Sequence, residues 1–240
     1  MKYIILAAGK GNRMGQYTKY LPKGMLLLKG VPIIQYHLSI ASSLDKIIIV
    51  KGYKAEKITF PNVTYYVNKN YENTNMVESL MLARDEFDDD AIVSYADIVY
   101  NPKILDEIKE FPGDFVVTVD MEWKKYWNLR YGNINCDTES LSIDSNGNIT
   151  EIGMVNPPSD KIDARYVGLL KFTKKGLQIM KDIYNSDNKW KTAYMTDLLQ
   201  EIIERGYEVK AMKIRNGWIE FDTVKDYKKA VVFVRKLDVL

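Results

Sequence analysis

Cysteine, histidine and surplus charge are all scarce in this 240-residue sequence: Cys136 and His37 are single occurrences, and 34 basic against 32 acidic side chains leave a net charge of +2. One cysteine forms no internal disulfide and no thiolate metal cage, which agrees with a reducing compartment, so a cytoplasmic location is expected. The lone histidine lies in an apolar helical stretch, where a structural role is expected of it rather than acid–base chemistry. No basic stripe is clustered in one segment, which argues against nucleic acid as a partner. Long apolar runs are missing too. None approaches the roughly 20 residues that cross a bilayer, and no membrane partner is expected. The opening Met1 to Gly9 resembles the start of a secretion signal, but its apolar run stops after a few residues in a Gly-rich, basic turn and reads as a buried strand. Repeats, low-complexity tracts and evident linkers are absent, while 46% hydrophobic residues suffice for a real core. One domain over residues 1–240 is expected, and a homodimer is left open.

Short apolar runs rich in β-branched residues occur at Tyr3 to Ala8, Lys46 to Val50, Val63 to Val67, Ala91 to Tyr95 and Phe115 to Val119. Such runs suit strands buried on both faces of a parallel sheet. Helical spacing lies between them, at Ile33 to Ser43, Met76 to Phe87 and Pro102 to Lys109. The alternation predicts an α/β fold with a doubly wound, mainly parallel, Rossmann-like sheet. Turn residues Asp144 to Asn148 between Leu141 to Ile143 and Ile149 to Ile152 predict a hairpin, a small antiparallel addition. A strand at Tyr166 to Phe172, helices at Lys174 to Asn185 and Thr196 to Arg205, a strand at Val209 to Ile214 and a helix from Thr223 complete the chain.

The first strand runs into Leu6-Ala7-Ala8-Gly9-Lys10-Gly11-Asn12-Arg13-Met14-Gly15. Small residues there let the backbone approach a ligand and turn N–H groups toward phosphate oxygens. Gly9, Gly11 and Gly15 do not have the dinucleotide Gly-x-Gly-x-x-Gly spacing, and no Gly-Lys-Ser/Thr follows to make a P-loop. A plain tight turn is the competing reading on turn chemistry alone. Asp97 ends the Ala91 to Tyr95 strand region at the carboxyl edge, where open α/β sheets bind ligands. In the extended segment Trp218 to Thr223, Glu220 and Asp222 fall on one side, and two such carboxylates repel unless a cation joins them. Helix capping is the alternative for Asp97 and Asp222, as it is for Thr74 and Asn75.

Leu-Ala-Ala-Gly-x-Gly-x-Arg, followed after a short loop by Leu21-Pro22-Lys23, resembles the nucleotidyltransferase superfamily that activates sugars and small phosphorylated alcohols. The resemblance extends over almost the whole chain and implies that Leu6, Ala7, Ala8, Gly9 and Gly11 hold a nucleotide while Arg13 and Lys23 neutralise its phosphates, with Lys10 a weaker candidate. It implies Mg²⁺ as cofactor, held by Asp97, Glu220 and Asp222, although Ala96 stands where the family usually has glycine. Among family branches the sequence is most similar to cytidylyltransferases acting on phosphocholine, aminoalkylphosphonates or phosphoglutamine. That implies CTP as donor, a small phosphorylated or phosphonate acceptor, and base reading by Thr74, Asn75 and Ser79. That branch has an acidic, aromatic and arginine-bearing stretch, matched here by Asp120, Trp123, Tyr126 and Arg130, and the resemblance implies that Trp123, Tyr126 and Arg130, with Tyr194 and the neighbouring Trp127, read the acceptor. A cage of these rings would attract an ammonium, while core packing is the bland alternative. A sugar-1-phosphate enzyme using UTP or dTTP ranks second, and a silent nucleotide-binding module is the reading of another class.

Overall fold

The computed structural model describes residues 1–158 and 160–240 in full. The first half contains β1 (Lys2–Ala7), β2 (Leu27–Leu28), β3 (Val31–Pro32), α1 (Ile33–Ile40), β4 (Lys46–Lys51), β5 (Thr64–Val67), α2 (Met76–Leu82), β6 (Ala91–Tyr95), β7 (Ile98–Tyr100), α3 (Pro102–Glu110) and β8 (Phe115–Asp120). The second half contains α4 (Trp123–Tyr131), β9 (Glu139–Ile143), β10 (Ile149–Val155), β11 (Arg165–Phe172), α5 (Lys174–Ser186), α6 (Met195–Glu204), β12 (Val209–Ile214), β13 (Trp218–Glu220) and α7 (Val224–Lys236).

A seven-stranded sheet in the order β12-β8-β11-β6-β1-β4-β5 organises the chain. Its pairings are parallel except those of β11, which runs antiparallel to both β6 and β8. The near-continuous apolar runs have the expected cause, burial on two faces. Tyr3, Ile5 and Ala7 of β1 belong to the core that also holds Ile33, Ile104, Trp127 and Phe233, whereas Ile4 and Leu6 face the core under α2, α5 and α6. The predicted hairpin is present as β9 and β10, antiparallel and irregular in register, and α6 packs against it.

Some element ends differ from expectation. The helix expected over Met76 to Phe87 stops at Leu82, and a 3₁₀ turn, Arg84–Glu86, follows. A pair of very short strands was not foreseen: β13 pairs antiparallel with β7, placing Trp218 opposite Tyr100 and Glu220 opposite Ile98. Strands of three residues carry too little periodicity to stand out in a sequence. This ladder is what brings the two acidic segments of the chain together.

Candidate active site

The loop after β1 is open where a ligand would approach and crowded where it rests on the protein. A Cβ at Gly9 would meet nothing within 4 Å. At Gly11 the backbone is left-handed, with φ at +65°, and a Cβ would lie 3.2 Å from Cε of Lys23. Gly24, next to that lysine, has no room for a side chain either, since a Cβ would approach Ile34 to 2.7 Å. Two glycines therefore set the path of the Lys23 stem.

Lys23 reaches the carboxyl edge of the sheet. Its Nζ donates to Oδ2 of Asp97 at 2.8 Å and lies 3.4 Å from Oδ1 of Asp222. Asp97 stands in the turn between β6 and β7, and its carbonyl accepts from the Phe221 N–H at 2.8 Å, one residue short of Asp222. Arg13 completes the group through Nη2, 2.8 Å from Oδ1 of Asp222, with most of its side chain exposed. Helix capping does not explain either aspartate. Asp97 leads into a strand, and Thr223 rather than Asp222 caps α7, its hydroxyl accepting from the Asp226 N–H while Asp226 returns the bond.

Burial alone would lower the pKa of Lys23, but Asp97 and Asp222 outweigh it and leave it raised, so the ammonium stays charged. Burial pushes the Asp222 carboxyl up, Lys23 and Arg13 pull it back incompletely, and the like charge of Asp97 adds to the rise. Two carboxylates thus compete for one ammonium.

The cleft beside this group, about 230 Å³, is lined by Leu6 to Gly9 and Gly11, by Tyr71, Thr74, Asn75 and Ser79, and by Tyr95, Asp97, Arg13, Lys23 and Asp222. Asn75 caps α2 through an acceptor bond from the Met76 N–H at 3.0 Å, so the bland role expected for it is real. Asn68, buried behind the loop, donates to both Thr74 and Ser79. Lys10 points elsewhere, half exposed and 3.6 Å from Glu72.

Several expected site residues lie outside the cleft. Glu220 does share a side with Asp222, but the cation between them is Arg130, which donates through Nη1 to Glu220 and has Nη2 at 3.9 Å from Oδ2 of Asp222. Arg130 is itself fully buried and holds Asp226 in a two-pronged bond, Nε and Nη2 each at 2.9 Å. Its guanidinium therefore has no free face for an acceptor, a correction to the role expected for it. Trp123, Tyr126 and Trp127 belong to the core as well, so the expected cage does not form from them. The Tyr126 hydroxyl accepts from the Glu220 N–H at 2.9 Å and holds that segment in place. Helical spacing with apolar neighbours was the signal of burial, and it outranks ring count. Asp120 is a buried hub too, accepting from Trp218 Nε1 and from the N–H groups of Asn216 and Glu122. Tyr194 is 57% exposed at the start of α6 and does not line the cleft.

Tyr71 and Tyr95 in the cleft wall escaped sequence reasoning, as did Gly52 beneath the glycine loop. Tyr95 immediately precedes Ala96-Asp97, a position that could have marked it. Gly52 had no signal: a Cβ there would meet the Ala8 carbonyl oxygen at 2.7 Å, a tertiary contact.

Residues 3–124 match the MobA-like NTP transferase domain. The chain is 33% identical to a CTP:phosphoglutamine cytidylyltransferase of Campylobacter jejuni, over 94% of this chain and 97% of that protein. It is 27% identical to a UTP–glucose-1-phosphate uridylyltransferase of Haloferax volcanii, over 91% and 89% of the two chains. In fold it is similar to an inositol-1-phosphate CTP transferase of T. maritima, with a TM-score of 0.77, 18% identity and coverage of 99% and 96%.

Proposed function

The chain belongs to the MobA-like NTP transferase family, and from that membership we propose that it transfers CMP from CTP to a small phosphorylated or phosphonate acceptor and releases pyrophosphate. The observation that carries this reading is the convergence of Lys23, Arg13, Asp97 and Asp222 at the mouth of a glycine-floored cleft. CTP rather than UTP is favoured by the identity with the phosphoglutamine enzyme over nearly the full length of both chains.

An ionised phosphate or phosphonate oxygen of the acceptor attacks the α-phosphorus. A phosphorus–oxygen bond forms on one side, the bond to the β-phosphate bridging oxygen breaks on the other, and the electron pair leaves with pyrophosphate. No general base is needed, because the attacking oxygen carries no proton to remove. Positioning and charge neutralisation supply the catalysis. Lys23 and Arg13 meet the charge that develops on the departing phosphates, and Gly9 and Gly11 line the same cleft, where backbone N–H groups of a glycine loop would donate to phosphate oxygens.

Mg²⁺ fits the oxygen pair of Asp97 and Asp222, which already gather around a cation, the Lys23 ammonium. Two carboxylates completed by water and substrate phosphates are a usual Mg²⁺ environment, and the ion would neutralise phosphate charge there. Glu220 is spoken for by Arg130, and among the described residues no group of three acidic, histidine or cysteine side chains is gathered for a metal. Asp97 and Asp222 are therefore the proposed ligands.

Turnover with CTP, UTP and dTTP, each with phosphoglutamine, phosphocholine and glucose-1-phosphate, tests the reading. CTP with an amine-bearing acceptor is expected to give a CDP-linked product and pyrophosphate, and chelation of divalent metal is expected to abolish it. Better turnover of UTP or dTTP with glucose-1-phosphate would assign the chain to sugar activation instead.

A further inference from the structure

Two arginines share the Trp127 ring but differ in how they are used. Arg130 lies 4.8 Å from the ring centroid and has carboxylate partners for Nε, Nη1 and Nη2. Arg165, at the start of β11, lies 4.3 Å from it on its own terms: its Nη1 is buried without a hydrogen-bond partner, and among the described residues no carboxylate comes within 4.0 Å of its guanidinium. A buried guanidinium left unpaired is costly, and stacking on an aromatic face offsets only part of that cost. A structural arginine here would be paired as Arg130 is.

Glu139, at the start of β9, is the unpaired acidic counterpart, with no side-chain hydrogen bond among the described residues. Burial raises its carboxyl, Arg165 gives the largest opposing pull, and Arg13 of the cleft adds to it. The place adjoins the reaction centre. Tyr166, the neighbour of Arg165 in β11, donates its hydroxyl to that of Tyr95 in the cleft wall at 3.1 Å, and the charges of Asp97 and Glu139 both act on this pair of phenols.

We propose that Arg165 and Glu139 form the head-group subsite for the acceptor, and that the acceptor is a phosphorylated α-amino acid whose carboxylate is taken by Arg165 and whose ammonium is taken by Glu139. This rests on the transfer reading above and narrows it. A guanidinium suits a carboxylate by two parallel bonds, and binding would supply the partner that the folded chain lacks. A choline head carries no anion for Arg165.

Calorimetric binding separates the two levels, using phosphoglutamine, phosphorylated 4-aminobutanamide, which lacks the carboxylate, and phosphorylated glutaramate, which lacks the amine. Wild type is expected to lose about 10- to 100-fold in affinity with either deletion, the scale of a lost charged hydrogen bond. Arg165→Met is expected to abolish the preference for the carboxylate alone, and Glu139→Gln the preference for the amine alone, with CTP binding unchanged in both. Arg165→Lys, which keeps a charge over Trp127, replaces Arg165→Met if that variant does not fold, and a weakened carboxylate preference is then expected. Intact CTP binding with no discrimination among the three compounds, or a wild-type preference retained in the folded Arg165 variant, overturns the subsite. Absence of CTP binding in wild type overturns the transfer reading itself.

Discussion

Asp222 is ionised against its surroundings. Burial raises its pKa in the folded chain, so the carboxylate form is disfavoured there relative to the unfolded chain. The stability linked to this group is complete below the ordinary carboxylate pKa and is lost as pH rises through the raised value. Asp222→Asn is therefore expected to keep or raise the melting temperature at neutral pH while turnover falls by at least about 10²-fold, the scale of a lost electrostatic stabiliser. Melting curves and kcat on the same preparation check it, and an unfolded variant with normal activity in its folded fraction would contradict it. His37 shows the opposite behaviour. It is buried with Nδ1 2.9 Å from the Tyr3 hydroxyl, and burial lowers its pKa to about 4. Neutral in the folded state and protonated when unfolded, it withdraws stability as pH falls from the ordinary histidine range toward 4, by up to about 3 kcal/mol at about 1.4 kcal/mol per pH unit. Denaturation midpoints measured across that window should fall more steeply in wild type than in His37→Asn.

At the level of elements, the β7–β13 ladder and the start of α7 assemble the acidic edge, and Arg130 in α4 ties them together. Arg130→Met is expected to cost about 3–5 kcal/mol by leaving the buried Asp226 and the partly exposed Glu220 without their partner, a loss of stability read by denaturant titration. A folded variant of wild-type stability with only acceptor binding impaired would restore the direct role that the sequence suggested. Gly11→Ala is expected to lower turnover more than nucleotide binding, because a Cβ there presses on the Lys23 stem. The regular elements were readable from sequence because β1, β4, β6 and β8 carry nearly continuous apolar runs and α3, α5 and α6 carry one-sided spacing. Lys23, Asp97 and Asp222, singled out by their motifs, are brought together at one cleft. Arg130 and Trp123 were misread because a buried ion pair and a core ring have the same composition as a ligand site, and only tertiary contacts tell them apart. Arg165 and Gly52 left no sequence pattern at all.

For the whole molecule, strands from both halves interleave in one sheet, with β11 inserted between β6 and β8 and β12 at one edge. Among the described residues no helix is long and apolar enough to cross a membrane. We propose that residues 1–240 unfold as one domain, so fluorescence of the four tryptophans and far-ultraviolet circular dichroism should give coincident denaturant transitions. Separate midpoints would divide the chain into two units. The sheet places the glycine loop, the Lys23 turn and the β7–β13 edge around one cleft, and that assembly is what the proposed transfer requires. Phosphorus nuclear magnetic resonance of the purified chain with CTP, Mg²⁺ and phosphoglutamine tests it most directly. A phosphoanhydride product joining CMP to the acceptor is expected together with an equal amount of pyrophosphate, both absent in Lys23→Ala; unchanged CTP, or product formed equally well by Lys23→Ala, would rule the transfer out.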